Sequence, residues 1–128
     1  MGTELEPRSY RVTRADLVAY AAASGDPNPI HQDEDVARAV GLPGVIAHGM
    51  FTLALAARYV DECVGAPGHI VELGAKFTKP VVVPAGEDGA EVRIEGVLEE
   101  REGVRTVVLT VTCGDDKVLG NPRAVLRG

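Results

Sequence analysis

Apolar and polar residues change their period along this chain, and each change predicts an element. Leu17, Tyr20, Ala21 and Ser24 fall at i, i+3, i+4 and i+7, the spacing of one face of a short amphipathic helix. Thr13 stands where an N-cap belongs, and Asp16 supplies an acidic partner near the positive helix end. Gly25 stops that helix. Ahead of it, Arg8 to Val12 reads as a short strand and the first seven residues, through Pro7, as a loose lead-in. Asp33 to Val40 predicts a second short helix with an acidic first turn, broken by Gly41-Leu42-Pro43-Gly44.

Met50 to Cys63 differs in kind. Its apolar residues leave almost no polar face until Arg58 and Asp61, which predicts a central helix wrapped by protein on most sides. From His69 onward the period falls to two. Ile70 to Lys79 reads as a strand ended by Pro80, and Val92, Ile94 and Val97 alternate roughly with Arg93, Glu95 and Gly96. Val107, Leu109, Val111 and Cys113 alternate with Thr106, Val108, Thr110 and Thr112. Gly103 and Gly114-Asp115-Asp116 suit hairpin turns, and Lys117 to Leu126 closes the set. A buried helix followed by an antiparallel meander is an α+β pattern, in which a curved sheet wraps one helix. With no internal repeat or low-complexity tract, residues 1–128 read as one domain.

Composition agrees with a folded domain: 128 residues, 45% hydrophobic and 25% charged. A net charge of −6 with no Lys/Arg cluster along the sequence argues against nucleic acid, whose affinity comes from neutralised phosphates. Neither a secretory leader nor an apolar run of about 18 residues is visible, so a cytoplasmic protein with no membrane partner is expected. Cys63 and Cys113 lie far apart and read as free thiols. His31, His48 and His69 are also spread out, so no metal site is indicated by spacing.

One stretch is chemically loaded: Ser24-Gly25-Asp26-Pro27-Asn28-Pro29-Ile30-His31. Asp26 can accept a proton or hold a water, and the imidazole of His31 can give or take a proton. The two prolines force an extended or turn path and stiffen it, fixing the two groups relative to each other. Asp and Asn before proline also serve as plain turn residues, and both readings stand. Ala47-His48-Gly49-Met50 sits where the central helix begins. The first N–H groups of a helix lack internal partners, and Gly49 lets a ligand oxygen come close, as an oxyanion hole requires. The same residues also read as an ordinary helix start. His48 either donates a structural hydrogen bond that shapes the loop or lines the site. Phe77 reads as a strand residue, and no base stands at local spacing to make Ser24 a nucleophile.

The loaded stretch, followed after five residues by Ala37, resembles the hydratase motif of MaoC-like (R)-specific enoyl hydratases and (3R)-hydroxyacyl dehydratases. Ile46-Ala47-His48-Gly49-Met50 and Lys76-Phe77-Thr78-Lys79-Pro80-Val81 match further segments of that family. The likeness runs over nearly the whole chain and is closest to the B-type subunit of actinobacterial hydroxyacyl-ACP dehydratases. It implies the hot-dog fold, an antiparallel sheet around a long central helix. It also implies a dimer, either a homodimer or a heterodimer with a second hot-dog subunit. The implied chemistry is reversible hydration of a trans-2-enoyl thioester, on CoA or an acyl carrier protein, to the (3R)-hydroxyacyl thioester, with no metal or redox cofactor. Asp26 and His31 would be the dyad and the Gly49 N–H would polarise the thioester carbonyl, with Asn28, Ser24 and His48 in support. Some hydratases of the family carry a serine eight residues after the glycine of His-Gly-Met. Here that position is Ala57, which bears on the depth or polarity of the acyl pocket. A hot-dog thioesterase, and a non-catalytic or partner-dependent acyl-binding subunit of a heterodimer, are the competing functions.

Overall fold

A computed structural model describes residues 2–26, 28–65, 68–86 and 88–127. Its elements run β1 (Gly2–Val12), α1 (Arg14–Ser24), a 3₁₀ turn (Pro29–His31), α2 (Glu34–Ala39), α3 (Gly49–Val64), β2 (Ile70–Phe77), β3 (Ala90–Arg101), β4 (Val104–Cys113), β5 (Asp116–Lys117) and β6 (Leu119–Leu126). The strands form one antiparallel sheet in the order β1-β3-β4-β6-β2, with β5 pairing β4. This is the expected α+β arrangement, with α3 lying against the sheet.

Local chemistry sets the helix ends. Thr13 caps α1 in a full capping box: its side chain accepts from the Asp16 N–H while Asp16 accepts from the Thr13 N–H. Gly25 closes α1 at φ 75° and Gly65 closes α3 at φ 93°, left-handed values that glycine adopts without a Cβ clash. Asp33 caps α2, accepting from the Asp35 and Val36 N–H groups.

The strand β1 is longer than its local sequence suggests. It starts at Gly2, and Gly2 to Leu5 pair with Glu99 to Gly96 of β3. The register shifts between Leu5 and Arg8, so Pro7 falls at the irregularity on an edge strand, where a missing N–H is tolerated. The lead-in is therefore strand, stabilised by a partner far away in sequence.

The phase of β3 also differs from expectation. Gly96, not Val97, is buried alongside Val92 and Ile94. Tyr59 of α3 explains it: a Cβ on Gly96 would lie 3.3 Å from the Tyr59 ring, 3.1 Å from Val107 and 3.2 Å from Leu109. The aromatic ring takes the space a side chain would fill, and its hydroxyl donates to the Glu6 carbonyl at 2.9 Å.

On α3 the buried positions are Thr52, Ala56, Tyr59 and Val60. Met50, Ala54 and Arg58 form an exposed stripe, so the helix is covered on one side rather than nearly all round. Tyr10 and Glu62 pin α3 to β1. The Tyr10 hydroxyl donates to the Glu62 carboxylate, which Arg8 and Arg58 approach at 3.4 and 3.6 Å. That hydrogen bond, aided by Arg58 and Arg8, holds the Glu62 carboxyl below the usual carboxylate range. Burial, reinforced by Glu62, pushes the Tyr10 hydroxyl well above the usual phenol range.

Candidate active site

Three backbone segments zip together in front of α3 and place the loaded loop. Ala47 donates to Val81 O at 2.9 Å and Val83 to Val45 O at 2.8 Å, so residues 45–47 lie antiparallel to 81–83. On the other side Ile46 donates to Ile30 O at 3.2 Å, and the His31 ring returns to Ile46 O at 2.8 Å. Arg14 braces the assembly through Val83 O and Glu34.

The motif itself is only partly extended. Pro29 opens a 3₁₀ turn, at a position where its missing N–H has no partner to lose. Pro27 lies outside the described residues, so its stiffening role rests on the sequence. Asn28 accepts from the Ile30 N–H at 3.2 Å and so caps the turn. Asp26 accepts from the Asn28 N–H at 3.3 Å, and its own N–H donates to Ser24 Oγ at 3.3 Å. The plain turn role of Asp26 is thus real, and it occupies one carboxylate oxygen, Oδ1.

His31 and His48 meet despite their separation in sequence. Their rings stack with centroids 3.8 Å apart and 22° between planes. Both are buried, at 7% and 2% exposure, while Asp26 is exposed. One ligating atom from each of Asp26, His31 and His48 lies within 4.8 Å of the other two. The sequence spacing gave no hint of that cluster. Metal ligation asks for lone pairs converging on a point about 2 Å from each ring nitrogen. Stacked imidazoles send theirs nearly side by side, so the grouping fits hydrogen-bond chemistry better.

The backbone fixes the tautomers. A carbonyl oxygen only accepts, so His31 Nδ1 carries the proton it donates to Ile46 O, and in the neutral ring the lone pair is on Nε2. His48 Nε2–H likewise donates to Asp26 O at 3.2 Å, and its Nδ1 is buried with no partner among the described residues. His48 therefore does both things the sequence offered: it ties down the loop and it lines the site.

These groups open onto a cleft of about 710 Å³, whose walls include Tyr20, Thr52, Phe77 and Val81. Its end is the N-terminus of α3. Phe51 and Thr52 both donate to His48 O, which leaves Gly49 at the mouth of the helix. Three of these wall residues are not offered as site residues by the sequence. Tyr20 stands edge-on to His48 at 4.8 Å and to Phe51 at 5.2 Å, a role its place on an apolar helix face does not reveal. Thr52 is buried at the cleft floor, 4% exposed. Phe77 lies flat against Gly49, so that a Cβ there would touch its ring at 3.0 Å. Ala57, by contrast, is outside this cleft, in a groove with Ala54, Arg58 and Arg8. The missing serine therefore leaves the walls of this cleft unchanged.

The family model for the MaoC-like domain matches residues 1–117. The chain belongs to the MaoC-like domain family. Among relatives of this MaoC-like domain is 3-hydroxyacyl-thioester dehydratase X of Mycobacterium tuberculosis, 42% identical over 80 residues, covering 59% of this chain and 26% of that protein. The 3-hydroxybutyryl-CoA dehydratase of Methylorubrum extorquens is 31% identical over 111 residues, covering 84% of this chain and 68% of that one. An (R)-hydratase from A. caviae involved in PHA biosynthesis superimposes with a TM-score of 0.83 at 27% identity, covering 98% of this chain and 94% of its own. The fold is the hot-dog fold. The MaoC-like domain spans about a quarter of the length of the mycobacterial relative, and none of its described helices is long and apolar enough to cross a membrane.

Proposed function

We propose that this MaoC-like domain adds water reversibly to a trans-2-enoyl thioester, giving the (3R)-hydroxyacyl thioester, with Asp26 and His31 as the dyad. The observation that carries the reading is the meeting of Asp26, His31 and the start of α3 in one cleft. A water in that cleft donates to the Asp26 carboxylate and to the free Nε2 of His31. Its oxygen adds to C3 of the enoyl chain while one of its protons passes to the dyad, and the dyad delivers a proton to C2, so that the net change is addition of one water. Negative charge building on the thioester oxygen is met by the Gly49 N–H at the positive end of α3. Ser24 and Asn28 hold the loop, and His48 fixes the Asp26 backbone while covering one face of His31.

We also infer that the working unit is a dimer, with itself or with a second hot-dog subunit. In support, β2 leaves one edge of the sheet unpaired, with Val71 and Phe77 more than half exposed on it. The Met50, Ala54 and Arg58 stripe of α3 is open as well. Native mass of the purified chain separates homodimer from partner-dependent assembly.

The test follows enoyl absorbance of crotonyl-CoA and a longer trans-2-enoyl-CoA, with chiral analysis of the product, for the wild type, Asp26→Asn and His31→Ala. Formation of the (3R)-hydroxyacyl product, reduced by about 10²-fold or more in each variant, supports the dyad. Activity that survives both substitutions rejects it. Release of free thiol instead of hydration selects the thioesterase reading.

A further inference from the structure

The chain is acidic, with 19 Asp and Glu against 13 Lys and Arg, and its only lysines are Lys76, Lys79 and Lys117. The fold gathers all three at one corner. Register sets Lys76 opposite Gly120 and Phe77 opposite Leu119. Just beyond, the Thr78 N–H donates to Val118 O at 3.3 Å, and the Thr78 hydroxyl donates to the Lys117 carbonyl at 2.8 Å. Lys79 Nζ stands 3.1 Å from Asp116.

That corner is the rim of the candidate active site. Thr78, Lys79 and Leu119 wall the 710 Å³ cleft and also a neighbouring hollow of about 470 Å³ that contains Asp115, Asp116 and Lys117. The two hollows thus share the Thr78–Lys79 rim.

We propose that this corner binds the phosphate at the far end of the pantetheine arm, with Lys79 and Lys117 as the contacting cations. The proposal rests on the thioester reading above and adds what the site recognises beyond the acyl group. A pantetheine arm is uncharged along its length and ends in phosphate, whether a nucleotide or a carrier protein follows. Lysine serves phosphate as a compact point charge. In the free protein Lys79 is occupied by Asp116, but side-chain exposures of 60% and 56% make that pair weak and exchangeable. Asp115 and Asp116 temper the field in the hollow, and Lys76 and Arg123, in the adjoining groove with Glu72, strengthen it. In a chain of net charge −6, the three lysines stand together beside the cleft mouth, and release of Lys79 from Asp116 offers an arriving anion two cations there.

The test compares crotonyl thioesters of pantetheine, 4′-phosphopantetheine and CoA, using the wild type and a Lys79→Gln/Lys117→Gln double variant. In the wild type, kcat/KM favours the two phosphorylated thioesters. In the double variant that preference falls about tenfold, through KM, the size of one charged contact. Raising salt from about 0.01 M to about 0.15 M shortens the screening length from about 30 Å to about 8 Å, and erodes the preference of the wild type only. Equal lysine dependence for phosphopantetheine and CoA assigns the contact to the phosphate that a carrier-borne thioester shares. Dependence confined to CoA assigns it to the nucleotide phosphates and overturns the proposal. An unchanged preference in the double variant overturns the proposal. Calorimetric titration with free CoA and with pantetheine is independent of turnover. CoA binding weakened by the two substitutions sustains the phosphate site even where no thioester is hydrated. CoA binding that ignores them rejects it even where hydration is established.

Discussion

Adding one carbon at Gly49 separates the fold of this protein from its proposed chemistry. Gly49 is the first residue of α3, and a Cβ there would meet three carbons of the Phe77 ring at 3.0–3.1 Å. Comfortable carbon contacts lie near 3.5–4.0 Å, so the ring must give by several tenths of an ångström. It has room to do so, since Phe77 ends β2 and is 58% exposed. Overpacking a rigid core costs about 1–3 kcal/mol, and a movable ring keeps the penalty at the low end. Alanine also returns roughly 0.5–1 kcal/mol in a helix relative to glycine. Gly49→Ala should therefore change stability by no more than about 1 kcal/mol, or roughly 5 °C in Tm. Activity should behave differently. The new carbon stands beside the N–H proposed to meet the thioester oxygen, and a carbonyl displaced by about 1 Å loses about 10²-fold in rate. The expected result is a fall of about 10²-fold in kcat for enoyl hydration, or about 2.7 kcal/mol, in a protein whose melting curve is nearly that of the wild type. Phe77→Val in the same background removes the crowding without moving the Cβ. If the loss came from the displaced ring, the double variant would recover. Recovery, or a single variant that stays within a few-fold of wild type, refutes the oxyanion role of Gly49.

Other perturbations test the frame that holds the site. Gly96→Ala places a methyl among three buried side chains, Tyr59, Val107 and Leu109, and should lower the unfolding free energy by about 1–3 kcal/mol in urea titrations. An unchanged midpoint would show that Tyr59 does not need that glycine. Thr13→Ala removes the capping box and should cost about 1 kcal/mol, with Thr13→Ser restoring most of it. Glu62 carries a pH signature. A carboxyl with a depressed folded-state pKa contributes stability above its unfolded value and loses it as pH falls through the folded one. Tm should therefore drop as pH is lowered through the carboxylate range, and less steeply in Glu62→Gln; identical slopes would remove Glu62 from the account.

What the sequence made legible was local. Thr13, Gly25 and Asp33 announce helix ends through side-chain and backbone preferences that act within a few residues, and the structure places them at those ends. The alternation of Val107, Leu109 and Val111 likewise marks the buried face of β4. The misreadings depend on distant partners. Gly2 to Leu5 form strand because β3 is there to pair with, and Pro7 looks like a break only until the register shift absorbs it. Gly96 faces inward because Tyr59 fills the gap, and nothing in the neighbourhood of Gly96 says so. In the site, the motif brought Asp26 and His31 forward, and a turn and a capped loop set their geometry. The stacking of His48 on His31, and the closure of Phe77 over Gly49, arise from the zipping of residues 45–47 between the loop and 81–83.

The strand order has a consequence for how the protein comes into being. β2 follows α3 directly, yet among the described residues its sheet partner is β6, the last strand of this sheet in chain order, and Phe77 pairs with Leu119 there. Contacts so far apart in sequence form late, because the intervening chain must be ordered before they reward it. During synthesis, the loop with Asp26 and His31 and the helix with Gly49 are available long before the wall that covers them. A chain lacking β6 thus holds every residue of the proposed dyad while β2 has no sheet partner among the described strands, so the β2 wall of the cleft settles only once β6 is in place.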